Sequence, residues 1–182
     1  MRLLKCELTK KGLLKLDYRQ TEVGVNGVDD AAIATIKKTS DKVVHRHLSN
    51  AFSRFIPHLL FQTELVDHKV AIPESLSAEE WFTGLHFDDD DRFEGVQVTR
   101  IDTFGKDSIE GIRIIGYKEN SKGDICPLKS GVIYFDREDP EHYALNHLVQ
   151  ASLETLEFEC EEWEKGKNAN TITNQLSFFE DK

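Results

Sequence analysis

The chain predicts an α+β fold: an antiparallel sheet, built from an N-terminal hairpin plus a three-strand meander, packed by two main helices and followed by a flexible C-terminal tail. Two observations carry that expectation. The strand-like stretches alternate apolar with polar residues instead of running continuously apolar, which suits a sheet with one wet face. Two longer segments repeat their apolar residues at three- and four-residue steps, the period of a helix with one buried side. Helices laid on one face of an antiparallel sheet satisfy both patterns. A parallel nucleotide-binding fold satisfies neither.

Each element follows from its own pattern. Residues 2–9 and 13–20 are Leu-rich stretches separated by Lys10, Lys11 and Gly12, and read as a β-hairpin with Gly12 in its turn. Gly24, Asn26, Gly27, Asp29 and Asp30 mark a loop, and residues 31–38 a third short strand. Ser40 or Asp41 is placed to cap the next helix, because a short side-chain oxygen accepts from an unpaired first-turn amide. In that helix Val44, His47, Leu48, Ala51, Phe52, Phe55, Leu59 and Leu60 share a buried side, and Pro57 kinks it or ends it early. Residues 66–92 read as a connecting segment with a short helix near Trp81 and Phe82.

Segments 96–104, 109–117 and 125–135 then form the meander, with Gly105, Gly116, Asn120 and Gly123 in its turns. The last helix is expected from Pro140 to Lys165, proline being tolerated in a first turn. Leu145, Leu148, Val149, Ser152, Leu156, Cys160 and Trp163 line its buried side; Glu154, Glu157, Glu159, Glu161, Glu162 and Glu164 are assigned to the solvent side. Residues 166–182 are polar and aperiodic, which makes 1–165 a single domain and 166–182 a flexible tail.

The 182 residues include 23 Lys plus Arg and 33 Asp plus Glu, a net charge of −10. That balance opposes a duplex-DNA grip, which needs a positive field to neutralise phosphates. The excess is local. Six acids fall in 154–164 and four at Asp88, Asp89, Asp90 and Asp91; the other 23 acids match the 23 bases. No apolar run is long enough for a membrane helix, and the opening MRLLKCELTKKGLLKL interrupts its leucines with lysine too often for a signal peptide. A cytoplasmic setting with no membrane partner is expected.

Cys6, Cys126 and Cys160 are too few and too widely spaced for a disulfide framework or a metal knuckle, and read as free thiols. Asp88, Asp89, Asp90 and Asp91 are weak candidates for a divalent cation. Four consecutive acids cannot all converge on one ion, and the spacing of a calcium loop is missing. His45 and His47, if both helical, point about 200° apart and cannot share a metal. His142 and His147 are poorly spaced, and His58 stands alone. No catalytic residue and no cofactor is assigned, and an enzyme is the less favoured class.

Gln175, Leu176, Ser177, Phe178 and Phe179 resemble the bacterial sliding-clamp-binding pentapeptide, Q-L-[S/D]-L-F, with Phe178 in place of leucine. A short peptide of this kind lays Leu176, Phe178 and Phe179 into a preformed apolar groove while Gln175 supplies directional hydrogen bonds. A eukaryotic clamp box does not fit, since Ile172 stands where it requires glutamine. The chain is also similar to a loose class of small bacteriophage and prophage proteins. That likeness rests on His47, Pro57, His58 and Leu59, on the stretch Glu110–Tyr117, and on Gly166-Lys167 ahead of the clamp-like ending. The class carries no set activity and implies a host-cell cytoplasm near replication or recombination genes. The element order also resembles half of a sliding-clamp domain in topology alone, against which the acidic last helix counts.

These resemblances imply a non-enzymatic, phage-type accessory protein of DNA replication or recombination, docked on a bacterial sliding clamp through Gln175–Phe179 and on a possible second replication or recombination partner. Two other classes stand beside it. One is a metal-dependent nucleic-acid enzyme using the Asp88–Asp91 region; the other is a ligand- or protein-sequestering module in phage–host conflict.

Overall fold

Alternation in the first strands sets the frame. Leu14, Leu16 and Tyr18 are buried while the residues between them are more open, so one side of the sheet faces a core and the other faces water. The computed structural model describes residues 1–22, 32–84, 91–106, 109–135 and 143–167. Strands β1 (Arg2–Leu8) and β2 (Leu14–Glu22) form the opening hairpin, and Gly12 takes φ +72° in its turn, a backbone region that favours glycine. β3 (Ala32–Thr39) is followed by helices α1 (Arg46–Ser53), α2 (Ile56–Gln62), α3 (His68–Ala71) and α4 (Ala78–Gly84). Next come β4 (Val96–Phe104), β5 (Gly111–Glu119), β6 (Ile125–Lys129), β7 (Ile133–Tyr134) and helix α5 (Asn146–Glu164).

The strands make one antiparallel sheet in the order β3-β2-β1-β4-β5-β6, with β7 also paired to β5. The α+β class, the hairpin and the meander are as expected from the sequence. Pro127 sits in β6, at the end of that order, where a missing amide breaks no ladder on the outer side. Among the described residues no helix is long and apolar enough to cross a membrane.

Four details depart from the sequence expectation. The first helix starts at Arg46, not near Ser40 or Asp41. The Ser40 hydroxyl is used elsewhere, accepting from the Leu14 amide at 2.8 Å and donating to the Lys42 carbonyl at 2.9 Å, which ties the loop to β2. The helical run does break at its proline, and Pro57 lies in the first turn of α2. Gly116 lies inside β5 rather than in a turn. A Cβ there would meet the Gln97 carbonyl at 2.1 Å and Leu59 at 2.9 Å, so its role is close approach of sheet and helix. The third meander strand divides because Ser130 puts its hydroxyl where a ladder partner would be, accepting from the Ile114 amide at 2.9 Å. Finally, α5 begins at Asn146, and Pro140 lies outside the described residues.

α5 runs over the opening hairpin. Cys160 meets Cys6, Glu157 accepts from the Leu3 amide at 3.3 Å, and Glu164 accepts from the Tyr18 hydroxyl at 3.2 Å. α1 packs beside α5, and α2 rests on β4 and β5. The opposite face of the sheet is a charge lattice. Lys37, Asp17, Lys5, Asp102 and Arg113 stand opposite one another across five strands, alternating in sign. A second row places Lys15, Glu7 and Arg100 side by side. Lys5 and Lys15 lie 2.8 and 2.9 Å from Glu7 and hold its carboxyl below the usual range.

Candidate functional site

The α1–α5 contact gathers four charged or titratable side chains, and backbone geometry explains each placement. His45 is the residue before α1, with extended φ −64° and ψ 148°, and its Nδ1 accepts from the His47 amide at 3.1 Å. The ring thereby does the work that serine or aspartate usually does at a helix start. Because His45 stands outside the helix, the helical angle between the two histidines does not apply. Their rings meet edge to face with centroids 4.4 Å apart. The expected separation of about 200° is therefore corrected, and so is the place of His47 on the buried side: His45 is 2% exposed and the His47 side chain 60%.

Glu159 comes from α5. The sequence assigned it to the solvent side with its neighbouring acids, yet it is buried and faces α1. Its position signals this, three residues after Leu156 and seven after Ser152, on the edge of the apolar stripe. Lys167 reaches the same place because α5 ends in a Schellman turn. Gly166 takes φ +100°, its amide donates to Trp163 at 2.9 Å, and the Lys167 amide donates to Glu162 at 3.0 Å. The chain folds back, and Lys167 Nζ lies 2.9 Å from Glu159 Oε2 and 3.5 Å from His47 Nδ1.

Within this cluster one nitrogen of each imidazole and one oxygen of Glu159 lie within 4.8 Å of one another. Burial pushes the pKa of the His45 imidazole down, aided by the charges of Lys167 and His47 and opposed by Glu159, which favours the neutral ring. Its Nε2 is buried with no hydrogen-bond partner. Two imidazoles and a carboxylate are donors suited to zinc-class ions.

The other candidates fall elsewhere. Asp91 is exposed in the turns ahead of β4, while Asp88, Asp89 and Asp90 lie outside the described residues. Asp102 is taken up by Arg100, whose Nε and Nη2 donate at 2.6 and 2.8 Å. His58 is fully buried, stacked on Phe82 at 4.7 Å and bonded through Nδ1 to the Tyr143 hydroxyl at 2.9 Å. Burial drives its pKa down to about 3, so it is a neutral core residue. His147 makes an exposed contact with Glu79 at 2.8 Å, and His142 lies outside the described residues. Cys6 and Cys160, far apart in sequence, meet in the core, and Cys126 is exposed. A cleft of about 240 Å³ between α1 and β4 is lined by Leu8, Phe52, Ile56 and Val98 with Ser49, Ser53 and Gln97, polar groups without acid–base capacity near neutrality. Gln175, Leu176, Ser177, Phe178 and Phe179 lie outside the described residues.

No family model, curated protein or solved structure matches the chain.

Proposed function

We propose that this protein is a non-enzymatic, phage-type accessory factor of DNA replication or recombination that docks on a bacterial sliding clamp through Gln175–Phe179. The observation that carries this reading is the pentapeptide Gln175-Leu176-Ser177-Phe178-Phe179, which matches the clamp-binding pattern at each position except Phe178. Groove binding of a short peptide needs apolar anchors at set intervals plus one directional polar group, and these five residues supply both. The sheet's wet face supports recruitment by a protein rather than by DNA. Its lysines and arginines alternate with Asp17, Glu7 and Asp102, so their fields largely cancel instead of forming a basic stripe.

A peptide spanning residues 170–182 is expected to bind purified bacterial clamp, and the full chain to co-elute with it. Changing Leu176→Ala together with Phe179→Ala removes two groove anchors of roughly 1–2 kcal/mol each, about 3 kcal/mol together, and binding should fall by a hundredfold or more. Undiminished clamp binding by the double variant, or none by the unaltered chain, overturns the reading.

A further inference from the structure

We propose that His45, His47 and Glu159 form a binding site for a divalent transition ion of the zinc class, with Lys167 as the internal cation that competes for it. This inference concerns the folded body and does not rest on the tail.

Geometry carries it. The three donors come from two separate elements and converge within 4.8 Å. Zinc bonds of about 2.0–2.2 Å in tetrahedral array place ligands roughly 3.3 Å apart, so closure needs a movement of about 1 Å or a little more. His47 can supply that movement, since its side chain is largely exposed. His45 and Glu159 are the fixed wall: both are buried, one by the start of α1 and the other by the packing of α5. Three protein ligands leave a fourth position to water, and the exposed His47 side shows where water enters.

A further observation points to a cation. Lys167 already brings one, its ammonium lying against Glu159 Oε2 and within 3.5 Å of His47 Nδ1. The place is thus built to hold positive charge between a buried carboxylate and an imidazole. In the tautomer that caps α1, His45 Nε2 carries the ring proton and is buried without a partner, so that nitrogen is bared for an ion only when its proton leaves or moves to Nδ1.

Proton placement sets the cost. A neutral imidazole has one bare nitrogen and one N–H, and His45 uses its bare Nδ1 to accept from the His47 amide. A metal bond to His45 takes up a bare nitrogen, so binding replaces the helix cap. The loss of one helix cap is small beside the free energy of zinc binding. Lys167 swings to solvent, and the incoming dication takes its place beside Glu159.

The test uses the full chain after chelator treatment, titrated with Zn²⁺ by calorimetry and with Co²⁺ by visible absorption. One ion per chain is expected, with the Co²⁺ spectrum of a four-coordinate site. His47→Ala, at an exposed position, and His45→Asn, which retains a good helix cap, should each weaken binding by about tenfold or more, because even outer-shell losses cost that much. Lys167→Met should tighten binding severalfold, since it removes the competitor. His147→Ala, at the other exposed histidine–glutamate contact, should leave the affinity unchanged. Wild-type affinity in His47→Ala or His45→Asn, a loss confined to His147→Ala, or no stoichiometric binding by the unaltered chain overturns the site. Weaker binding by Lys167→Met overturns the role given to that residue.

Discussion

The Sγ atoms of Cys6 and Cys160 lie 3.6 Å apart in the centre of the core, joining β1 to α5. Both residues are fully buried and both are free thiols. Burial, then the contact with Cys160, pushes the Cys6 thiol well above its ordinary pKa, so it is a poor nucleophile as well as an inaccessible one. Cys126, on β6, is exposed.

That contrast makes thiol counting a test of the fold. A chromogenic disulfide reagent should titrate one thiol per chain under native conditions and three in denaturant. Cys126→Ser should abolish the native signal without lowering stability. Cys160→Ala should lower stability by about 1–3 kcal/mol, the range of a core truncation. Fast native reaction of more than one thiol would contradict the packing of α5 on β1.

His58 makes stability depend on pH. Its folded pKa of about 3 lies below the ordinary 6.5. Between those values the unfolded chain takes up a proton that the folded site refuses, so stability falls as pH drops through this window. The slope is about 1.4 kcal/mol per pH unit. Above pH 6.5 the contribution is full and flat. Glu157 runs the other way, since burial raises its carboxyl pKa and its contribution improves on acidification. Comparing the unaltered chain with His58→Phe cancels Glu157 and isolates the imidazole. The variant keeps a ring against Phe82 but leaves the Tyr143 hydroxyl without its hydrogen-bond partner on that ring. Its unfolding free energy should lie within about 1–2 kcal/mol of the parent's at pH 7 and vary less steeply between pH 4 and 6. Identical slopes would show that His58 is not the group responsible.

Much of the fold was legible because burial leaves a period behind. Leu14, Leu16 and Tyr18 show their side of β2 directly, and Leu48, Ala51 and Phe52 show theirs on α1. The candidate metal site was not legible, for two physical reasons. The angle between His45 and His47 depends on where the helix begins, and that was decided by Ser40 bonding back to Leu14 instead of capping. Glu159 sits in a run of acids, and although its spacing from Leu156 and Ser152 marks the edge of the apolar stripe, only the fold brings His47 across to it. The pairing of β1 with β4 also leaves no local trace, since it joins strands with the whole helical segment between them. Ser130 is a smaller case: a single hydroxyl split a strand that periodicity ran straight through.

The charge lattice on the sheet's wet face provides the last test. Asp17 stands between Lys5 and Lys37 in the cross-strand register, with the Lys37 ammonium 3.8 Å from its carboxylate. Cross-strand pairs of opposite sign contribute roughly 0.2–1 kcal/mol each, and like charges directly opposite destabilise. Asp17→Asn removes attraction alone and should cost no more than about 1 kcal/mol, because exposed ion pairs are weak. Asp17→Lys adds repulsion on both sides and should cost about 1–2 kcal/mol at low salt. Screening separates the two effects. At about 1 M salt the Debye length falls to about 3 Å, so the deficit of Asp17→Lys should shrink markedly while that of Asp17→Asn changes little. Denaturant midpoints measured at both ionic strengths decide it. A deficit in Asp17→Lys that ignores salt would mean that Asp17 acts through packing, and that the alternation of signs across the five strands contributes little to holding them in register.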